Sequence, residues 1–237
     1  NERVLCDYRE TISNLILENF TKEWKEWANG KDALIRNQAH GSPANILDLY
    51  EAVDIPEMEG EDILRIKMAS SAANVSGKNL VSSESATWLN EHFLSNLADI
   101  KKSLDRFMLS GINHTFYHGT SYSPASDAWP GRLFYAAVHL NSRNSLWNDF
   151  PKLNHYTARC QSFLQTTKAD NDVLLYFPIY DRFSTPGNEM IEHFDGVERQ
   201  FEGTAFKNAA EFMLERGYTF DYISDKQIGN SDASDGE

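Results

Sequence analysis

Glu84 stands where a short apolar run, Leu80-Val81, gives way to small polar residues, Ser82-Ser83-Glu84-Ser85-Ala86-Thr87, followed by Trp88. This is how the C-terminal mouth of a parallel strand in a β/α barrel reads: the apolar part fills the interior and the last side chains face substrate. A carboxylate in that place can act as a general base or as a nucleophile. It can also do no more than cap the helix that follows. Three other segments end in the same manner. Residues 33–41 begin apolar and finish in Gln38, His40 and Gly41; residues 53–60 carry Glu57 and Glu59 beyond Pro56; residues 112–119 gather Asn113, His114, Tyr117 and His118 before Gly119. Pro56 cannot donate to a strand ladder, so pairing should stop near it and leave Glu57 and Glu59 in the loop that faces substrate.

The elements between these segments decide whether the polar tips meet. Residues 8–28 carry Ile12, Leu15, Ile16, Phe20, Trp24 and Trp27 at helical spacing and end at Asn29-Gly30, which predicts an amphipathic helix with its tryptophans in the core. Residues 46–50 read as a short helix or turn, 61–76 as a helix stopped by Gly77, and 88–110 as a longer helix with Leu89, Phe93, Leu97, Ile100, Leu104, Phe107 and Met108 as its buried stripe. Strand and helix therefore alternate, at roughly 25–35 residues per unit, the spacing of parallel β/α units in a barrel of eight. Four such units behind a leading helix predict the second half of a (β/α)8 TIM-type barrel, residues 1–168. Residues 121–132 form a polar, aromatic loop with Tyr122, Trp129 and Pro130, suited to sugar contact; 133–139 and 144–167 read as helical. Residues 172–179 then read as a fully buried parallel strand. With a helix at 204–216, closed by Gly217, and a strand at 218–223, this opens a second α/β domain, residues 169–228, similar by fold analogy to a flavodoxin-like or amidotransferase-like domain. The tail, 229–237, reads as disordered and acidic.

Composition narrows the partners. The chain has 237 residues, 41% of them hydrophobic, and a formal net charge of −13. Such a surface repels phosphate backbones, which argues against nucleic acid. No run has transmembrane length and no basic amphipathic stretch addresses a membrane surface. Cys6 and Cys160 lie on apolar helix faces and form no metal-ligand spacing. Asn1-Glu2-Arg3 leads straight into a helical pattern with no initiator Met or signal peptide. The chain is therefore expected to be a piece of a longer protein whose localisation it does not report.

Taken in order, Gln38-Ala39-His40-Gly41-Ser42-Pro43-Ala44-Asn45, Asp54-Ile55-Pro56-Glu57-Met58-Glu59, Ser70-Ser71-Ala72-Ala73, Ser82-Ser83-Glu84-Ser85-Ala86-Thr87-Trp88 and Gly111-Ile112-Asn113-His114-Thr115-Phe116-Tyr117-His118-Gly119 resemble glycoside hydrolase family 106, over about residues 7–180. The resemblance implies an α-L-rhamnosidase acting on plant-type glycans through an inverting mechanism, with calcium in the active site and a periplasmic or secreted bacterial parent. It makes Glu84, at the end of barrel strand seven, the general base. It brings Glu57 or Glu59 to the calcium, with an exchange of catalytic role between one of them and Glu84 left open. It leaves Gln38, His40, Trp88, Asn113, His114, Tyr117 and His118 to bind the sugar. The family's general acid would end strand four, upstream of this chain, so the chain alone is expected to hydrolyse little or nothing. Two alternatives remain at this stage: a retaining, β-galactosidase-like glycosidase, and a non-catalytic carbohydrate-binding protein.

Overall fold

The computed structural model describes residues 1–87, 92–187 and 189–231. It is a mixed α/β structure with two parallel sheets. Helix α1 (Glu2–Ile16), a π-helical turn (Leu17–Lys22) and α2 (Glu23–Asn29) lead into the alternation β1 (Arg36–Asn37), α3 (Ile46–Ala52), β2 (Ile55–Met58), α4 (Ile63–Val75), β3 (Ser82–Ser85), α5 (Leu97–Leu109), β4 (His114–Tyr117) and α6 (Phe150–Leu164). The four strands pair in chain order, β1-β2-β3-β4, every pair parallel. The second sheet pairs β5 (Val173–Tyr176) with β6 (Phe220–Ile223), around α7 (Ile179–Ser184) and α8 (Ala205–Arg216); α9 (Asp225–Asn230) follows. One apolar core serves both sheets: Ile66, Met68, Ala69 and Ala72 of α4 bury with Met58 of β2 and with Phe220 and Tyr222 of β6. No helix among the described residues is long and apolar enough to cross a membrane.

Local chemistry sets the element ends. Asp62 caps α4 through the Arg65 N–H at 2.8 Å, and Gly77, at φ 68°, ends it. Helix α5 begins at residue 97, not 88, because Asn96 and Asp99 form a reciprocal capping box there; Phe93, assigned to the stripe, lies outside the helix at φ 66°. Ile100, Leu104 and Phe107 are buried as expected, while Leu89 lies outside the described residues. At the first helix the phase was misread. Arg9, Ser13, Leu17, Thr21 and Ala28 are buried, whereas Leu15, Phe20 and Trp27 are exposed; the buried line already runs through Arg9 and Ser13 in α1, and the π turn at Leu17–Lys22 shifts the repeat only beyond it. Residues 133–139 are not helical either: they run irregularly and bury Ala136, Ala137 and Val138. Strand β5 is half-buried at Val173 and Leu175 and exposed at Leu174 and Tyr176, whereas its partner β6 is buried throughout. The tail beyond residue 231 lies outside the described residues, and α9 occupies 225–230 before it. Both cysteines are half-buried and free.

Two buried charges tie the second sheet to the first. Arg9 of α1 donates to five backbone carbonyls, those of Arg182, Phe183, Thr185, Glu189 and Met190, at 2.9–3.2 Å, and faces Glu192 at 3.7 Å. Asp48 of α3 accepts from Ser224 Oγ at 2.5 Å. Burial pushes the Asp48 carboxyl up to about 6 from 3.8, against the pull of Ser224 and Lys226. A carboxyl raised in the folded state binds more protons than in the unfolded chain, so stability falls as pH rises from about 4 to about 6. Asp48→Asn keeps an acceptor for Ser224 and removes this penalty. It is expected to stabilise the protein by about 2–3 kcal/mol at pH 8 and by almost nothing at pH 4, read as the difference between urea midpoints at the two pH values.

Candidate active site

Side-chain alternation along the parallel strands builds the site as ascending rows of polar residues on one face of the sheet. In the lowest row Arg36 Nε meets Glu57 Oε2 at 3.1 Å, Ser82 Oγ donates to the same oxygen at 2.7 Å, and the Arg36 guanidinium lies 3.5 Å over the Phe116 ring. His114 packs edge-on against Phe116. One row up, Gln38 Nε2 donates to Glu84 Oε2 at 2.7 Å and to Glu57 Oε1 at 3.2 Å, so one amide bridges two carboxylates. In the top row His40 Nε2 donates to Glu59 Oε1 at 3.2 Å. That hydrogen bond holds the Glu59 carboxyl below the usual range despite its partial burial.

Glu84 is the carboxylate presented at the rim. Its Oε1 accepts from Thr87 Oγ1 at 2.8 Å and stands 3.6 Å from His118 Nδ1, whose proton goes to the Ala136 carbonyl at 3.0 Å. The turn that brings Thr87 back to Glu84 passes through Ala86 at φ 67°, a left-handed conformation that costs a non-glycine residue about 1–2 kcal/mol. Glu84 does not cap α5, a task Asn96 performs. A strap between α7 and α8 lies against the chain just past β1. Gly41 N–H donates to the Phe194 carbonyl at 2.8 Å and Phe194 N–H to the Ser42 carbonyl at 3.0 Å. Gly196, at φ 154°, backs onto Arg65 so closely that a Cβ would lie 3.1 Å from its Cα.

The structure thus brings together Gln38, His40, Glu57, Glu59, Glu84, His114 and His118. Two residues expected at the sugar are placed elsewhere by the period of two. Asn113 bonds the Val81 N–H and the Asn79 carbonyl, and Tyr117 bonds Thr157 Oγ1 and packs on Phe150 in the helical layer. Trp88 lies outside the described residues. Glu57, expected in a catalytic or metal-binding role, is 6% exposed and sealed beneath Gln38 with both oxygens engaged. Arg36 and Thr87 are the members that sequence reasoning missed; the alternation Arg36, Gln38, His40 was the available signal for the first.

The donor set also bears on calcium, which takes six to eight oxygens. Glu57 has no oxygen free of a donor, Glu59 has one, and among the described residues no three His, Cys, Asp or Glu side chains converge on a point. These residues do not fit a calcium ion on their own, and no step below passes through one.

Carboxylates gathered at the polar end of a parallel β/α sheet, with amide, hydroxyl and imidazole groups aimed at them, are the groups that glycoside hydrolysis employs. The family model for alpha-L-rhamnosidase matches residues 1–235, and the chain belongs to glycoside hydrolase family 106. A relative from Formosa agariphila, carrying the name "Putative beta-glucuronidase", is 28% identical over 184 residues, covering 74% of this chain. The chain spans 15% of that relative's length.

Proposed function

We propose that this chain forms part of the active site of an inverting α-L-rhamnosidase, with the β1–β4 sheet as the second half of its barrel. The observation that supports this most is the setting of Glu84: a rim carboxylate fixed by Gln38 and Thr87, above a second carboxylate sealed from substrate. Glu84 takes a proton from a water, the water oxygen bonds the anomeric carbon from the face opposite the aglycone, and the C–O bond to the aglycone breaks. The leaving oxygen takes its proton from a carboxyl outside these 237 residues, about 6.5–9.5 Å from Glu84 as inversion requires. Both N–H groups of Gln38 are spent on carboxylates, which leaves its carbonyl to accept from a sugar hydroxyl.

The relative's name supports a second reading, a β-glucuronidase. A uronate needs a cation at the rim: Arg36 is committed to Glu57 and Phe116, and Arg65, near enough to favour the Glu59 carboxylate, is covered by Gly196, while Glu59 and Glu84 add negative charge. A neutral 6-deoxy sugar suits this rim better. The test is to offer a full-length protein containing this chain an aryl α-L-rhamnoside and an aryl β-D-glucuronide, and to follow the product anomer by NMR. The expected result is turnover of the rhamnoside alone, with β-L-rhamnose appearing first. Glucuronide turnover, or α-L-rhamnose as first product, overturns the proposal. The chain by itself is expected to turn over neither.

A further inference from the structure

Past β4 the chain folds back across the rim, and residues 136–140 are pinned there. The Ala136 carbonyl accepts from His118 Nδ1, Leu140 N–H donates to the Gly119 carbonyl at 3.1 Å, and Asn144 Nδ2 donates to the Val138 carbonyl at 3.0 Å. Ala136, Ala137, Val138 and Leu140 are buried, yet the two residues just before them are aromatic and open to solvent: Phe134 is 40% and Tyr135 71% exposed. The Phe134 ring meets the His118 ring edge-on, 5.1 Å between centroids, and the Tyr135 ring lies 4.7 Å from that of Phe134 at 49°. His118 in turn stands 3.6 Å from Glu84. The aromatic pair is therefore set off from the rim carboxylate by the width of one imidazole. Tyr122 and Trp129 in the same loop are exposed too, but Trp129 is tied to the Arg143 carbonyl and packs on Phe93, so it has another task.

We propose that Phe134 and Tyr135 form a stacking platform for a second pyranose ring, the neighbour of the sugar held against Glu84. This rests on the carbohydrate reading of the site above. A pyranose has a face of C–H groups made slightly positive by the attached oxygens, and an aromatic ring has a negative face. Stacking joins the two while the sugar hydroxyls, directed round the ring edge, keep their water. Two rings tilted to each other beside a rigid anchor offer such a surface at little ordering cost, since the backbone that carries them is already fixed.

The experiment uses the full-length protein with Glu84→Gln, so that bound glycan survives, titrated by calorimetry with an α-L-rhamnose-terminated oligosaccharide and with methyl α-L-rhamnoside. The oligosaccharide is expected to bind roughly ten-fold more tightly than the methyl glycoside. Phe134→Ala/Tyr135→Ala should bring that ratio close to one, and Tyr135→Phe should preserve it. If the double variant does not fold, Tyr135→Ala alone, at a solvent-exposed ring, serves for the same ratio. A ratio unmoved by loss of the rings, or near one from the start, or no binding of either glycan, overturns the platform. A ratio that falls in a protein that hydrolyses no rhamnoside upholds the platform and sinks the hydrolase proposal. Rhamnoside hydrolysis with an unmoved ratio does the reverse.

Discussion

Glu84→Gln in the full-length protein is expected to lower kcat by about two to four orders of magnitude and to leave substrate affinity close to its starting value. The amide keeps the size of the carboxylate and can still meet Thr87, but it cannot take a proton from water. With its oxygen toward Gln38 Nε2 and its N–H toward Thr87 Oγ1, a hydroxyl that accepts as well as donates, the amide keeps both contacts, so the loss is chemical and not one of position. The comparison that gives the result meaning is Glu57→Gln. That change sits in the row beneath, leaves Arg36 without its counter-charge at 3.1 Å and sets an N–H donor against Gln38 Nε2, and should show first in thermal stability. Equal kcat losses in the two variants would mean that Glu84 serves the fold as Glu57 does. Unchanged kcat for Glu84→Gln would return the chain to the non-catalytic carbohydrate-binding alternative.

Arg9→Met is expected to cost about 3–4 kcal/mol of folding stability, read from the urea midpoint at constant slope. Methionine replaces the volume of the stem but none of the donors, and five carbonyls along residues 182–190 lose their shared partner. Glu192, 15% exposed at its side chain, keeps only Arg182. Arg9→Lys should recover little, because a single ammonium cannot serve carbonyls spread around a guanidinium fork. A loss under about 1 kcal/mol would show that the segment closes on itself and that Arg9 merely lies against it.

The alternation of strands and helices was legible because each unit carries its own punctuation: Asp62 before α4, Gly77 after it, and a polar tip on every strand. The meeting of Gln38, Glu57, Glu59, Glu84 and His118 was legible for the same reason, since parallel strands in sequential order put their ends together. What failed was phase. The buried line of the first helix runs through Arg9, Ser13, Leu17 and Thr21, a line of largely polar residues that a search for an apolar stripe passes over, and the π turn shifts the repeat further on. On β4 the four polar residues looked like one cluster, although a period of two sends Asn113 and Tyr117 to the helices and His114 and His118 to the site. The extended run 133–139 offered apolar residues without turn signals, which periodicity alone does not separate from a helix. Phe134 and Tyr135 were hidden with it.

Gly196 gives the strap a further meaning. With hydrogen in place of a side chain, the loop packs closely on Arg65 while Phe194, two residues before, bonds to Gly41 and Ser42 just past the first strand; a larger residue at φ 154° would be strained and would press on Arg65. The flank of the rim next to β1 is thus bounded by a segment far along the chain. A side chain at this position would have to shift Arg65 or the loop by a few tenths of an ångström, so the fit of two distant stretches of chain depends on a single hydrogen atom.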